Sequence, residues 1–460
     1  MIVLSHRGPF RFTREDDGTF TTTRGAGGVV SALTPLLLEP VHNSTWVAAA
    51  MTADDTEAQA EGATKGLGLD LHLIDIDPTV HRMHYDVISN GVLWFLVHGM
   101  FDHARRPRFD LRFRDAWEAY VQVNQAFADA VANIAPDGDI ALVQDYQLAL
   151  VPALLRAQRP DLRIVHFMHT PFCDAQTARV LPTDIGEQLL GALASGPTGF
   201  HTARWAQAYQ RSARELLGRR AAVHTPFTAS LGPDVEALEE TAASSDARDR
   251  AAALADRVGE RLVILRTDRV EPSKNIVRGF LAYDRLLEAR PGVRGRVVFV
   301  AMVYASRQGL PEYLAYANEV EQVVARVNER WATRDWTPII LDQGDDFARS
   351  IAGLQRYDVL FVNPIRDGLN LVAKEGPALN RRDGVVCLSR EAGAYDELRS
   401  AVLPVHPFDI EQMAVALDDA LAMPRGERAA MAARLRTLAV ARTPRHWLDD
   451  LLAQAGDHTS

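Results

Sequence analysis

Short apolar runs alternate with longer stretches of helical periodicity along this chain, and that alternation restricts the fold more than any other feature. The runs are Ile2-Val-Leu, Ile140-Ala-Leu-Val, Ile164-Val-His-Phe-Met, Leu262-Val-Ile-Leu, Val297-Val-Phe-Val, Ile339-Ile-Leu, Val359-Leu-Phe-Val and Val385-Val-Cys-Leu. Helical patterns lie between them at residues 116–134, 277–288, 313–331 and 410–422. A strand covered on both faces reads as a continuous apolar run, and strands that alternate with helices form βαβ units in parallel sheets. The pattern pauses between Pro226 and Val263, where Thr225-Pro-Phe-Thr-Ala-Ser-Leu-Gly-Pro-Asp is followed by a polar helical stretch at 236–257. A domain boundary near Pro226 to Pro233 follows. The expectation is an α/β chain of two doubly wound domains facing across a cleft, at residues 1–228 and 229–445. Residues 446–460 form a C-terminal segment expected to pack back on the first domain. Ligands of such sheets bind outside the carboxyl ends of the strands.

Asn363 to Glu375, which reads NPIRDGLNLVAKE, joins such a strand end to a helix start. N–H groups at the start of a helix lack intrahelical acceptors and favour an anion. The loop carries Arg366, Asp367 and Asn370, and Glu375 lies about one turn further on, at ~3.6 residues per turn. A diphosphate on amides and a sugar on carboxylates is the requirement of a nucleotide-sugar enzyme. Thr267-Asp-Arg-Val-Glu-Pro-Ser-Lys-Asn follows the strand Leu262 to Leu265 and brings Arg269 and Lys274 into one short loop stiffened by Pro272. Two cations there offset the charge that builds on a departing phosphate.

The remaining candidates also sit at strand ends. Arg7 ends the first strand, and Arg24-Gly-Ala-Gly-Gly28 precedes a helical run, with glycines that let amides approach a phosphate. That string lacks the GxGxxG spacing of a nicotinamide site. Asp145 and His169 follow first-half strands and suit sugar hydroxyls. His166 and His169 lie at a strand end rather than on one helix face, which speaks against zinc. Tyr85 and Trp94 offer aromatic faces with a polar handle, and Arg307 is a third cation at a second-half strand end.

Composition removes other classes. A net charge of -10 argues against a nucleic-acid or membrane-surface partner. The two cysteines, Cys173 and Cys387, make neither a disulfide framework nor a zinc spacing, which favours a reducing cytoplasm. MIVLSHR is no signal sequence, and no apolar run reaches the ~18 residues of a membrane span.

Taken together, the Arg269/Lys274 loop, the RDGLNLVAKE block, Gln144-Asp-Tyr and His169 with Pro171-Phe resemble the trehalose-6-phosphate synthases, from the N-terminal strand to about His446. The resemblance implies a retaining glycosyltransferase of the GT-B fold, with two Rossmann-like domains, no cofactor and no metal. It implies that Arg269 and Lys274 would hold the diphosphate, helped by the amides of Asn370, Leu371 and Val372, and that Gly28 would approach it. Glu375 would accept from the ribose hydroxyls, Asp367 and His169 would grip the donor glucose, and Asp145 would contact the transferred sugar. Arg7, Tyr85, Trp94 and Arg307 would bind the phosphate of glucose 6-phosphate. A front-face mechanism, in which a leaving-phosphate oxygen takes the acceptor proton, goes with the family. Oligomeric state is left open, a homo-oligomer included.

This chain departs from the family at Ala49, where a second tryptophan is common, at Asn275 after the lysine, and at Gln144 before Asp145-Tyr146. The acidic turn with Asp342, Asp345 and Asp346 suits guanine, whose N1–H and N2–H a carboxylate accepts as a pair, so the expectation is GDP-glucose over UDP-glucose. Two alternatives stay open: a same-fold synthase using another acceptor, of the glucosylglycerol-phosphate or cyclitol-coupling type, and a non-catalytic sugar-phosphate-binding homologue.

Overall fold

A computed structural model describes residues 1–25, 27–39, 44–218 and 223–456. Ala26 of the glycine string and residues 457–460 of the C-terminal segment lie outside the described residues. The chain divides into two compact units, Met1–Ser230 together with the segment from Pro444, and Leu231–Thr443.

The strands of the first unit are β1 (Ile2–Leu4), β2 (Phe10–Arg14), β3 (Phe20–Arg24), β4 (Thr45–Ala49), β5 (Asp70–Ile74), β6 (Ile140–Gln144), β7 (Arg163–Met168), β8 (Thr198–Phe200) and β9 (Phe227–Thr228). Seven of them form a parallel sheet in the order β5-β4-β1-β6-β7-β8-β9, while β2 and β3 pair as an antiparallel hairpin. The strand order reverses between β1 and β6, which pair directly from Ile2↔Ala141 to Leu4↔Val143. Their apolar runs are buried because the helix Leu111–Ile134 lays Val123, Phe127 and Val131 on one face of the sheet. That helix starts earlier than its periodicity predicts because Asp110 accepts from Phe113 N at 3.1 Å and caps it. The last helix, Pro444–Gly456, belongs to this unit. Its Trp447 is fully buried, with its ring 5.2 Å from Phe167 and 5.5 Å from His169.

The strands of the second unit are β10 (Leu262–Val270), β11 (Val297–Ala305), β12 (Ile339–Gln343), β13 (Val359–Val362), β14 (Val385–Ser389) and β15 (Leu403–Val405). They form one parallel sheet in the order β12-β11-β10-β13-β14-β15, reversing between β10 and β13. This is the strand order of a dinucleotide-binding domain, in which ligands lie at the reversal point. On one face Phe280 and Tyr283 of the helix Ile276–Ala289 meet Phe299 of β11 edge-on, at 5.2 and 5.4 Å. β10 continues to Val270, so Arg269 is a strand residue and not a loop residue as the sequence reading had it. The polar stretch at 236–257 is two helices, Val235–Ala242 and Ser245–Val258. No helix among the described residues is long and apolar enough to cross a membrane.

Candidate functional site

In the second unit, the loops after β10 and β13 meet where the strand order reverses. Arg266, in the middle of β10, is almost fully buried. Its Nη2 donates to Asp268 Oδ2 at 2.8 Å and to the Lys274 carbonyl at 2.9 Å. A buried guanidinium that holds a main-chain carbonyl keeps the loop in one conformation. Lys274 ends a single 3₁₀ turn, and Asn275 takes a left-handed φ of 58° before the next helix. Lys274 Nζ donates to Asp367 Oδ2 at 2.6 Å, tying the two loops together. Burial pulls the lysine pKa down, but Asp367, Asp268 and Glu271 outweigh it, so the net shift is upward and the ammonium stays charged.

Asp367 also accepts from Asn370 Nδ2 at 3.2 Å and from Leu369 N at 3.3 Å. Its own main chain is paired on both sides, to Glu391 O and from Gly393 N, each at 3.1 Å. A Cβ on Gly393 would fall 2.0 Å from the Gly368 carbonyl, so only glycine permits this approach. Asn370, at φ 74°, turns the chain into the helix Val372–Leu379, and its Oδ1 accepts from Ala373 N at 3.3 Å. Leu371 and Val372 therefore stand at a helix start beside the Lys274–Asp367 pair. Arg269 Nη2 lies 2.9 Å from Glu271 Oε1, and Arg307 Nη1 lies 3.0 Å from Glu271 Oε2. Arg307 also donates to Tyr313 Oη.

Glu375 is half-buried, and among the described residues no donor reaches its carboxyl. Burial alone pushes its pKa up to about 7. The acidic turn after β12 is engaged differently from the sequence reading. Asp342 receives Arg257 Nη1 at 2.7 and 2.9 Å. Asp346 caps the helix Phe347–Arg356 by accepting from Arg349 N at 2.8 Å, and also pairs with Arg250 at 2.9 Å. Of the three aspartates read as guanine acceptors, these two already have cationic and main-chain partners. Asp345 is exposed.

In the first unit, the loops after β1 and β6 likewise leave adjacent strands at the reversal point. Arg7 Nη2 donates to Tyr85 Oη at 3.2 Å, with the guanidinium 5.7 Å from the ring centroid. Tyr85 is held flat against His6, with centroids 4.4 Å apart and planes inclined by 10°. His6 is buried, its Nε2 lies 3.1 Å from His81 Nε2, and His84 stacks behind it at 5.3 Å. Burial lowers the pKa of all three histidines, His84 to about 4, so the wall behind Tyr85 is neutral. Tyr85 sits on an uninterrupted helical stretch with a π-helical middle, Met83–Leu93, a rare form that is frequent at functional sites. Trp94 follows it but is buried, stacked on His98 at 4.2 Å.

Asp145 has φ 66° and ψ 177°, a conformation costly for any residue but glycine. It is held there by Asp145 N donating to Phe167 O at 2.7 Å and by His166 Nε2 donating to the Asp145 carbonyl at 3.0 Å. Asp145 Oδ1 accepts from His169 N at 3.2 Å. His169 Nε2 lies 2.9 Å from Gln144 Oε1, and burial with His201 and His166 nearby holds the imidazole neutral. Gly28 is the exposed first residue of the helix Gly28–Leu37.

The profile described as glycosyltransferase family 20 matches residues 1–457. The chain is 32% identical over 454 residues to an α,α-trehalose-phosphate synthase (UDP-forming) of Schizosaccharomyces pombe, covering 94% of this chain and 85% of that one. It is 34% identical over 487 residues to a trehalose-6-phosphate synthase of Mycolicibacterium smegmatis, covering 99% and 93%. A crystal structure of an α,α-trehalose-phosphate synthase (UDP-forming) from Burkholderia xenovorans in complex with glucose-6-phosphate aligns with a TM-score of 0.85 at 25% identity, over 99% of each chain. The chain belongs to glycosyltransferase family 20. Its fold is GT-B, built of two doubly wound α/β domains.

Within this family 20 chain the second unit brings together Arg269, Lys274, Asp367 and Asn370, and joins Arg307 to Arg269 through Glu271. The first unit pairs Arg7 with Tyr85 and Asp145 with His169. Sequence reasoning missed Glu271, Arg266, His6 and Gly393. Glu271 carried a readable signal, as a carboxylate set between two cations of one loop. Burial of an arginine and the histidine stack have no counterpart in local pattern.

Proposed function

We propose that this protein moves glucose from a nucleoside-diphosphate-glucose to glucose 6-phosphate, forming α,α-trehalose 6-phosphate with retention at the anomeric carbon. The observation that carries this reading is the Lys274–Asp367 pair at the reversal point of the second sheet. It sets a charged ammonium and a helix start side by side, with Glu375, which no donor reaches among the described residues, about one turn beyond. In this reading Arg269, Lys274 and the amides of Asn370, Leu371 and Val372 hold the diphosphate, with Gly28 close to it. Glu375 accepts from the ribose, Asp367 and His169 orient the donor glucose, and Asp145 contacts the sugar in transfer. Arg7, Tyr85 and Arg307 serve the acceptor phosphate; Trp94 is buried against His98 and is left out of that set. The bond from the anomeric carbon to the diphosphate breaks as the acceptor oxygen bonds to that carbon on the same face. The acceptor proton passes to the departing phosphate oxygen, so no protein nucleophile is needed.

For the base, we propose uracil. The relatives named above from Schizosaccharomyces pombe and Burkholderia xenovorans are UDP-forming, and Asp342 and Asp346 are engaged by arginines. The expectation of GDP-glucose finds no support in either. A matrix of UDP- and GDP-glucose against glucose 6-phosphate and glycerol 3-phosphate, with product identification, tests the proposal. Trehalose 6-phosphate is expected from UDP-glucose and glucose 6-phosphate. Absence of nucleoside diphosphate release with glucose 6-phosphate from either donor refutes it.

A further inference from the structure

We propose that Glu271 is a positioning residue that fixes the separation between the arginine of the donor diphosphate and the arginine of the acceptor phosphate. The inference rests on the function proposed above. Glu271 is 1% exposed, yet its two oxygens face two guanidiniums, Arg269 at 2.9 Å and Arg307 at 3.0 Å. One rigid carboxylate therefore sets the distance between two cation heads assigned to different substrates. Its own position is constrained, because the backbone leaves β10 extended and Pro272 follows at once. Arg307 is constrained from the other side by Tyr313 Oη and by its left-handed φ of 48°. The two arginines differ in access: the Arg307 side chain is 8% exposed and that of Arg269 is 43% exposed. Arg307 is thus the fixed member, and Arg269 is referenced to it through Glu271. A guanidinium carries five N–H donors, more than a single carboxylate oxygen accepts. Because front-face transfer is sensitive to the placement of both partners, with ~1 Å of error costing about 10²-fold in rate, a shared reference between the two phosphates bears on turnover more than on affinity.

The test is steady-state kinetics on the whole protein with Glu271→Gln, which keeps the size and removes the charge, and Glu271→Asp, which keeps the charge and shortens the arm. Both are expected to lose on the order of 10²-fold in kcat, with KM for donor and acceptor each within about threefold of wild type. Uridine diphosphate alone should bind the Gln variant within about threefold of wild type. In an Arg307→Ala background, Glu271→Gln should add less than about threefold, since the partner it references is already gone. Wild-type kcat in the Gln variant, or a full and additive loss in the Arg307→Ala background, overturns the proposal. So does circular dichroism showing that neither variant folds, which makes the carboxylate a structural pin. An inactive wild type sinks the proposed function, whereas an active wild type with an equally active Gln variant sinks only the role of Glu271.

Discussion

Glu375 offers a test that needs no chemistry to occur. Its carboxyl has an ordinary pKa of 4.5 and is pushed up to about 7 by burial, so the free protein holds a proton there at pH 6. Hydrogen bonds donated by ribose hydroxyls favour the ionised form. Binding a nucleotide sugar should therefore expel that proton. If the bound pKa returns to its ordinary value, the shift corresponds to about 3.5 kcal/mol, at about 1.4 kcal/mol per unit. Affinity should then rise about tenfold per pH unit from ~5 to ~7 and level off above. The assay is calorimetric titration of UDP-glucose, whose phosphates are both esterified and do not titrate there, in two buffers of different ionisation enthalpy at pH 6 and 8. Release of nearly one proton is expected at pH 6 and little at pH 8, and Glu375→Gln should abolish the difference. Stability gives an independent reading with a definite sign. Between about 4.5 and 7 the unfolded chain loses this proton and the folded one keeps it, so stability falls as pH rises through that window. Glu375→Gln should accordingly raise the melting temperature at pH 8 and leave it unchanged at pH 4. Equal proton release by wild type and the Gln variant would refute the assignment of Glu375 to the ribose.

Other expectations follow from the same contacts. Lys274→Met leaves Asp367 and two further acidic groups without their ammonium, so urea unfolding should show a loss of about 3–5 kcal/mol and turnover should fall on the order of 10²-fold. Asp346→Ala should cost about 1 kcal/mol by removing a helix cap, while the UDP- to GDP-glucose activity ratio stays within about twofold; a larger swing in that ratio would restore the base-recognition role. Trp447→Ala, which empties a fully buried site between Phe167 and His169, should cost about 3–5 kcal/mol in thermal or denaturant unfolding.

The sheets were legible wherever strands are buried on both faces, because β11, β13 and the first four residues of β10 and of β14 have no polar residue to interrupt the apolar run. β4 and β5 escaped notice: Thr45-Trp-Val-Ala-Ala is short and ends in alanines, and Asp70 and His72 interrupt the apolar run of β5. At the site, motif spacing indicated Lys274, Asp367 and Asn370, which converge through two short loops. It did not indicate that Glu271 ties Arg307 to Arg269, since Arg307 lies on a different strand's exit and the link is visible only in three dimensions. The acidic turn misled because sequence reports carboxylates but not their partners. Arg257 and Arg250, which engage Asp342 and Asp346, come from a helix that precedes β10. The π-helical form of the stretch around Tyr85 has no signature in the local pattern.

The second unit is an insertion within the first, since the first resumes at Pro444. On a ribosome, the first unit must wait with an incomplete core while more than two hundred residues of the second are made. Only then does Trp447 arrive to cover Phe167 and the imidazole of His169. Nascent chains stalled before that point should expose this apolar seat to chaperones, and the histidine assigned to the donor glucose is covered only after Trp447 has been made.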